Sequence, residues 1–300
     1  MAGRKGGGRL AGKSSIRHRP HICLQQVAKK ICVSGTRVAF RPERDGMAEI
    51  EAGALVWNPP VWREIWRWPL PYQGPGDRLL LKASVLLARP HVSSVYGIEH
   101  MRPGLDPFIL VANHSSRREA LLVPPLIMLH RGGRLVHFLA DWNFRLIPGI
   151  GLIYRRAGAI TVTRKPARPR ILNLLKPLYA DPVPALERAR QHLDAGRSVG
   201  MFPEGTVNRN PTSLLAGRGG AARLSLEAGV PIVPMGIRFP EGRADKPASG
   251  PMEIHVGPPL HPPATATPAP LADVRLWHAA LMTEIANLSG KSWTERGERR

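Results

Sequence analysis

A histidine and a carboxylate stand five positions apart in Asn113-His114-Ser115-Ser116-Arg117-Arg118-Glu119. An imidazole titrates near neutrality and can take a proton from a hydroxyl. A carboxylate beside it would fix its tautomer and stabilise the imidazolium. Five residues along a continuous helix turn through roughly 140°, at ~3.6 residues per turn. His114 and Glu119 can therefore meet only if His114 lies in the turn before a helix. Ser115 and Ser116 are good N-cap residues and permit that turn. A competing reading stays open on the residues alone. Ser116-Arg117-Arg118-Glu119 matches a capping box, in which Glu119 reaches back to the N-cap amide.

Two later segments bear on the same chemistry. Ala159 to Thr163 reads as a strand that runs into Arg164. An Arg at a strand end can grip a phosphate through two parallel hydrogen bonds, although alone it reads as a solvated surface residue. Val199-Gly200-Met201-Phe202 reads as a buried strand, and Pro203-Glu204-Gly205-Thr206 as the tight turn after it. Gly205 is free to adopt positive φ. Backbone amides and the Thr206 hydroxyl could cradle an anion there; alone, the segment is only a turn. Val230-Pro231-Ile232-Val233-Pro234 reads as a strand entering the core. A base, then a lone cation, then a turn, each after a strand, suits moving a group onto a hydroxyl beside a phosphate.

Together these segments resemble the glycerolipid acyltransferase superfamily, in particular its 1-acylglycerol-3-phosphate acyltransferase-like branch, the lysophospholipid acyltransferases. The family pattern is Asn-His-x4-Asp, Gly-x-Ile-x-x-x-Arg, Phe-Pro-Glu-Gly-Thr and a Val-Pro-Ile-x-Pro-like block. The resemblance covers about residues 90–260, and Ile147-Pro148-Gly149-Ile150-Gly151 stands where the family has Pro-x-x-Gly. It implies an enzyme that moves a fatty acyl group from acyl-CoA or acyl-carrier protein to a hydroxyl of a lysophospholipid or related glycerolipid, with no cofactor and no metal. His114 would be the base, with Glu119 its partner. Arg164, Glu204, Gly205 and Thr206 would hold the acceptor, and Pro234 would shape the acyl-donor side.

The chain also departs from the pattern. Glu119 replaces the Asp of the first motif, so the motif is His-x4-Glu; Val207 stands where Arg or Lys usually follows Gly-Thr; Asp141 replaces a common Lys. A less phosphate-dependent acceptor, or a divergent lysolipid, fits these changes better than plain lysophosphatidate. They also motivate a second reading, a catalytically silent lipid-binding relative.

The elements that must position these residues alternate. Strands are expected near 92–98, 108–112, 134–139, 159–163, 198–202, 231–237 and 252–256. Helices are expected near 61–68, 78–88, 117–129, 184–195, 215–228 and 272–288. Alternating strands and helices argue for an α/β fold. The resemblance adds a mixed, mostly parallel sheet flanked by helices, as in glycerol-3-phosphate acyltransferases. In the last helix Val274, Trp277, Leu281, Ile285 and Leu288 recur at three- and four-residue steps, a core-packing stripe.

Composition sets the outer bounds. With 300 residues and 43% hydrophobic content, the chain can bury one large core. The net charge is +21, and residues 1–46 hold eleven Lys and Arg against two acidic residues. This Gly-rich tail is expected to be disordered, and Met47 is an alternative start. It lacks the apolar centre of a signal peptide. Cys23 and Cys32, both in the tail, leave no cysteine for a core zinc site or nucleophile. No run of about 18 apolar residues suggests a transmembrane helix. Residues 47–90 cluster Trp57, Trp62, Trp66 and Trp68 with Arg63 and Arg67, a composition suited to a membrane interface or to a helix pair packed on the core. Residues 91–260 form the expected catalytic domain, and 261–300 a linker with a C-terminal amphipathic helix. The aromatics cluster with Pro and Leu rather than along a basic stripe, which argues against nucleic acid. The expected place is the cytoplasmic face of the cell membrane, bound peripherally.

Overall fold

The computed structural model describes residues 56–167, 169–242 and 247–295. The expected basic tail over 1–46 lies outside these described residues. The described strands are β1 (Val56–Trp57), β2 (Val92–Tyr96), β3 (Ile109–Ala112), β4 (His137–Asp141), β5 (Ile160–Val162), β6 (Val199–Met201), β7 (Ile232–Arg238) and β8 (Met252–Val256). They form one sheet in the order β1-β2-β8-β7-β3-β6-β4-β5. β7, β3, β6, β4 and β5 are mutually parallel. β8 runs antiparallel to β7, β2 parallel to β8, and β1 antiparallel to β2. The α/β fold class and mixed, mostly parallel sheet are as expected.

The helices are α1 (Trp62–Arg67), α2 (Pro75–Ala88), α3 (Glu119–His130), α4 (Ile150–Arg156), α5 (Lys176–Tyr179), α6 (Ala185–Asp194), α7 (Gly220–Ala228) and α8 (Leu271–Ser289). β3 is a continuous apolar run because it is buried on both faces. Its side chains alternate between two cores. Phe108, Leu110 and Ala112 pack with residues of α2 and α3, while Ile109 and Val111 pack with residues of α6, α7 and α8. Val274, Trp277, Leu281 and Ile285 of α8 belong to the second core, as their spacing requires.

α3 contains Pro124 and Pro125 yet remains helical. Pro124 has no N–H to give the Ala120 carbonyl four residues back. The Tyr154 hydroxyl of α4 donates to that carbonyl instead, at 3.4 Å. Burial pushes the Tyr154 phenol up to about 12, so it stays a donor. One expectation needs correction. The helix expected at 215–228 begins only at Gly220, because Gly217 adopts φ +76°. The four tryptophans divide between the two readings left open for them. Trp57 and Trp68 pack against the first core, whereas Trp62 and Trp66 are 59% and 44% exposed. Among the described residues no helix is long and apolar enough to cross a membrane.

Candidate active site

The parallel direction of β3, β4, β5 and β6 puts their carboxyl ends on one side of the sheet. His114, Trp142, Arg164 and Glu204 follow these four ends. Such ends are the usual ligand-binding rim of α/β sheets.

His114 lies in the turn between β3 and α3, and its Nδ1 is 2.9 Å from Glu119 Oε2. The Glu119 side chain is fully buried, and the Ser115 amide donates to its two oxygens at 3.1 and 2.9 Å. Glu119 thus reaches back to a backbone amide, as a capping residue would, and also meets His114. Both readings of the spacing describe the same carboxylate. Burial raises the Glu119 carboxyl above its ordinary value, while His114 and the amides of Ser115 and Ser116 oppose that rise. With Glu119 accepting, Nδ1 carries the proton and Nε2 is the free acceptor. The imidazole, 14% exposed, stacks on Phe202 with centroids 4.4 Å apart.

The turn is fixed on both sides. Asn113, fully buried, accepts from Ile237 N (2.6 Å) and donates to Ile237 O (3.0 Å), so its side chain pairs with β7 like a further strand residue. The Asn208 amide donates to the His114 carbonyl at 2.7 Å. Glu204, 6% exposed, accepts from the His114 amide at 2.9 Å and the Leu215 amide at 3.0 Å. Both Glu204 oxygens are engaged by backbone, so here it braces the His114 turn.

Gly205 has φ +66°, which an L side chain adopts only with strain. Thr206 beside it is exposed. A Cβ on Gly205 would lie 3.2 Å from Arg218 Nε, so a guanidinium flanks the turn where Val207 supplies none. Arg164 is exposed, and among the described residues no hydrogen bond or ion pair ties it to His114 or Glu204. Asp141 accepts from Asn143 N at 3.0 Å and caps the turn after β4. Pro234 pairs with Val111 inside the sheet and is buried, away from solvent.

An apolar cleft opens between α2, α3, α4 and β4, lined by Leu80, Leu81, Leu121, Pro124, Phe138 and Ile153 among others. Phe138 lies 6.0 Å from Phe202, which in turn stacks on His114. The cleft therefore begins one ring layer from the imidazole. Among the described residues no three His, Cys, Asp or Glu side chains gather as metal ligands would. Sequence reasoning missed Asn113 as a strand mimic, Phe202 as a stacking platform, Arg218, and Lys291, whose Nζ donates to Ser115 Oγ at 3.0 Å. Phe202 sits within a motif and could have been picked out; a contact 176 positions away carries no local signal.

Residues 93–238 match the family model described as acyltransferase. A lyso-ornithine lipid O-acyltransferase of Pseudomonas aeruginosa is 29% identical over 45% of this chain and 44% of its own length. A human 1-acyl-sn-glycerol-3-phosphate acyltransferase alpha is 30% identical over 48% of this chain and 47% of its own. The chain thus spans about half the length of these relatives. A crystal structure of a 1-acyl-sn-glycerophosphate acyltransferase from Thermotoga maritima superposes with TM-score 0.46 at 21% identity, covering 77% of this chain and 81% of that one. Residues 93–238, which carry the His-x4-Glu and Phe-Pro-Glu-Gly-Thr motifs, are thus the part of the chain that is similar to acyltransferases.

Proposed function

We propose that this protein transfers a fatty acyl group from an acyl thioester, of coenzyme A or of acyl-carrier protein, to a hydroxyl of a lysolipid. The observation that carries this reading is the His114–Glu119 contact of 2.9 Å at the carboxyl end of a parallel sheet. In the reaction His114 Nε2 takes the acceptor hydroxyl proton as the oxygen attacks the thioester carbonyl. The tetrahedral intermediate collapses, the carbon–sulfur bond breaks, and the imidazolium returns its proton to the leaving thiolate. Glu119 holds Nδ1–H and balances the imidazolium charge.

Arg164, Gly205 and Thr206, with Arg218, bind the acceptor head group, and Glu204 keeps the His114 turn in register with them. The apolar cleft suits an acyl chain. The named relatives give two acceptor classes, a lyso-ornithine lipid and a 1-acyl-glycerol 3-phosphate. Because Val207 removes a cation from the third motif, the lyso-ornithine class is the first to test. The protein works as a peripheral enzyme at the cytoplasmic face of the membrane, where acyl thioesters are available. Exposed Trp62 and Trp66, and exposed Ile171, Leu174 and Leu178 in the segment after Arg164, support contact with lipid.

The test is acyl transfer by the purified chain, with acyl-CoA and acyl-carrier protein, to a panel containing both lysolipid classes. Transfer that disappears in His114→Ala supports the enzyme. Lysolipid binding by folded protein without turnover under every donor would establish the silent relative instead, the reading that Glu119, Val207 and Asp141 motivate.

A further inference from the structure

The His114 turn is held from beyond the segment that matches the family, which ends at residue 238. α8 closes at Gly290 with φ +68°, the chain reverses, and Lys291 N bonds back to Ala286 O at 3.0 Å. Ser292 then joins the loop after β6. Its amide donates to Thr212 O and its carbonyl accepts from Leu214 N, both at 2.8 Å. This pairing delivers the half-buried Lys291 side chain to the site. Lys291 Nζ donates to Ser115 Oγ at 3.0 Å and to Asn210 O at 2.8 Å.

Ser115 is also the residue whose amide binds both Glu119 oxygens, and its hydroxyl accepts from Asn113 Nδ2 at 3.3 Å. One ammonium therefore ties together the turn after β3 and the loop after β6. Burial lowers the Lys291 ammonium below its ordinary value, and the carboxylates of Glu204 and Glu119 oppose that fall. Other charged groups in these segments are His114 on Glu119, exposed Arg117 and Arg118 in the turn before α3, exposed Arg209 next to Asn210, and Arg218 beside Gly205.

We propose that Lys291 is a positioning residue for proton transfer: its ammonium locks Ser115 and the loop at Asn210, and its charge faces the buried carboxylates that serve His114. The proposal rests on His114 as the base. Without the cation, Glu119 would sit in the same buried place with one opposite charge fewer, and would take up a proton at higher pH. A protonated Glu119 no longer balances the imidazolium, so turnover falls while the acceptor still binds.

Three variants of the full chain separate charge from tether. Lys291→Met keeps the stem, Lys291→Gln keeps a donor without charge, and Lys291→Arg keeps the charge. Lys291→Met should lower kcat about tenfold or more with KM changed less than about twofold, and should move the acid limb of kcat to higher pH. Lys291→Arg should recover most of that loss and Lys291→Gln should not. Full kcat in Lys291→Met, or equal recovery by Gln and Arg, overturns the proposal. A second arm needs no substrate. The Glu119 carboxyl, titrated by carbon-13 NMR, should move upward by at least about half a pH unit in Lys291→Gln. Superposable titrations overturn the proposal even if the enzyme transfers acyl groups. If the wild-type protein transfers nothing to any lysolipid, the acyl-transfer reading falls, and the titration still decides Lys291.

Discussion

The β3–α3 unit buries a carboxylate against a basic side chain at each end, and the two ends differ in what they leave open. At one end Arg131 and Asp106 are almost wholly buried, and Arg131 Nη2 donates to both Asp106 oxygens at 2.7 Å. Arg134 adds a second cation at 2.5 Å, the Arg131 Nη1 donates to the Met101 carbonyl, and the guanidinium lies 5.0 Å over the Phe108 ring. At the other end Glu119 is equally buried and equally well bonded, but its partner His114 keeps Nε2 without a hydrogen bond among the described residues. Both pairs suit the helix, with an acid in its first turn and a cation at its close. A saturated pair can only hold; a pair with one open nitrogen, on the rim beside a cleft, can also exchange a proton.

That contrast predicts a separation of activity from stability. His114→Ala should cost about 10²- to 10⁴-fold in kcat/KM and leave the melting temperature nearly unchanged. Arg131→Met should do the reverse. Removing one partner of a buried pair costs about 3–5 kcal/mol, read from urea unfolding, with kcat intact in the protein that remains folded. Loss of stability in the first or of specific activity in the second would mean the two ends are not distinct. Glu119→Gln is intermediate. Its amide oxygen can still accept from Ser115, but an amide nitrogen facing Nδ1 would favour the wrong tautomer. Turnover should fall roughly 10- to 10³-fold; unchanged turnover would reduce Glu119 to a cap. Arg164→Ala should raise KM for an anionic acceptor roughly tenfold with little change in kcat, because this side chain is unbraced. The smallest effect is expected of Trp62→Ser with Trp66→Ser, which should weaken vesicle co-sedimentation without lowering the melting temperature. Neither ring is buried, and a collapse in melting would return them to the core.

The strands that lead to the site are legible in the sequence because each is a short apolar run ended by a polar motif. Ile109–Ala112 and Val199–Met201 announce themselves, and with them the places of His114 and Glu204. The turn that lets His114 meet Glu119 is legible too, from the serines between them. What is hidden is long-range. Glu204 looks like a ligand in its motif, and only the fold shows the amides of His114 and Leu215 on it. Lys291 is one basic residue among 43 until α8 reverses at Gly290. Helix α4 is masked by Gly149 and Gly151, which locally suggest a loop. The Trp segment looks uniform, yet Trp57 and Trp68 turn to the core while Trp62 and Trp66 do not. Composition places aromatic residues near a boundary but does not say which side of it each one takes.

Gly200 restricts what evolution or an engineer can do to this site. Its backbone is an ordinary strand, paired with Leu110 and Phe138, so conformational freedom does not demand glycine there. Space does: a Cβ would lie 2.6 Å from Cε1 of the Phe138 ring. Phe202, two residues on and on the same face of the strand, touches both that ring's neighbourhood and the His114 imidazole. A single methyl at position 200 would therefore be transmitted ring by ring to the His114 imidazole. Substitutions at Phe138 that reshape the cleft have to proceed without enlarging Gly200, and libraries that vary the cleft are best built with position 200 held fixed.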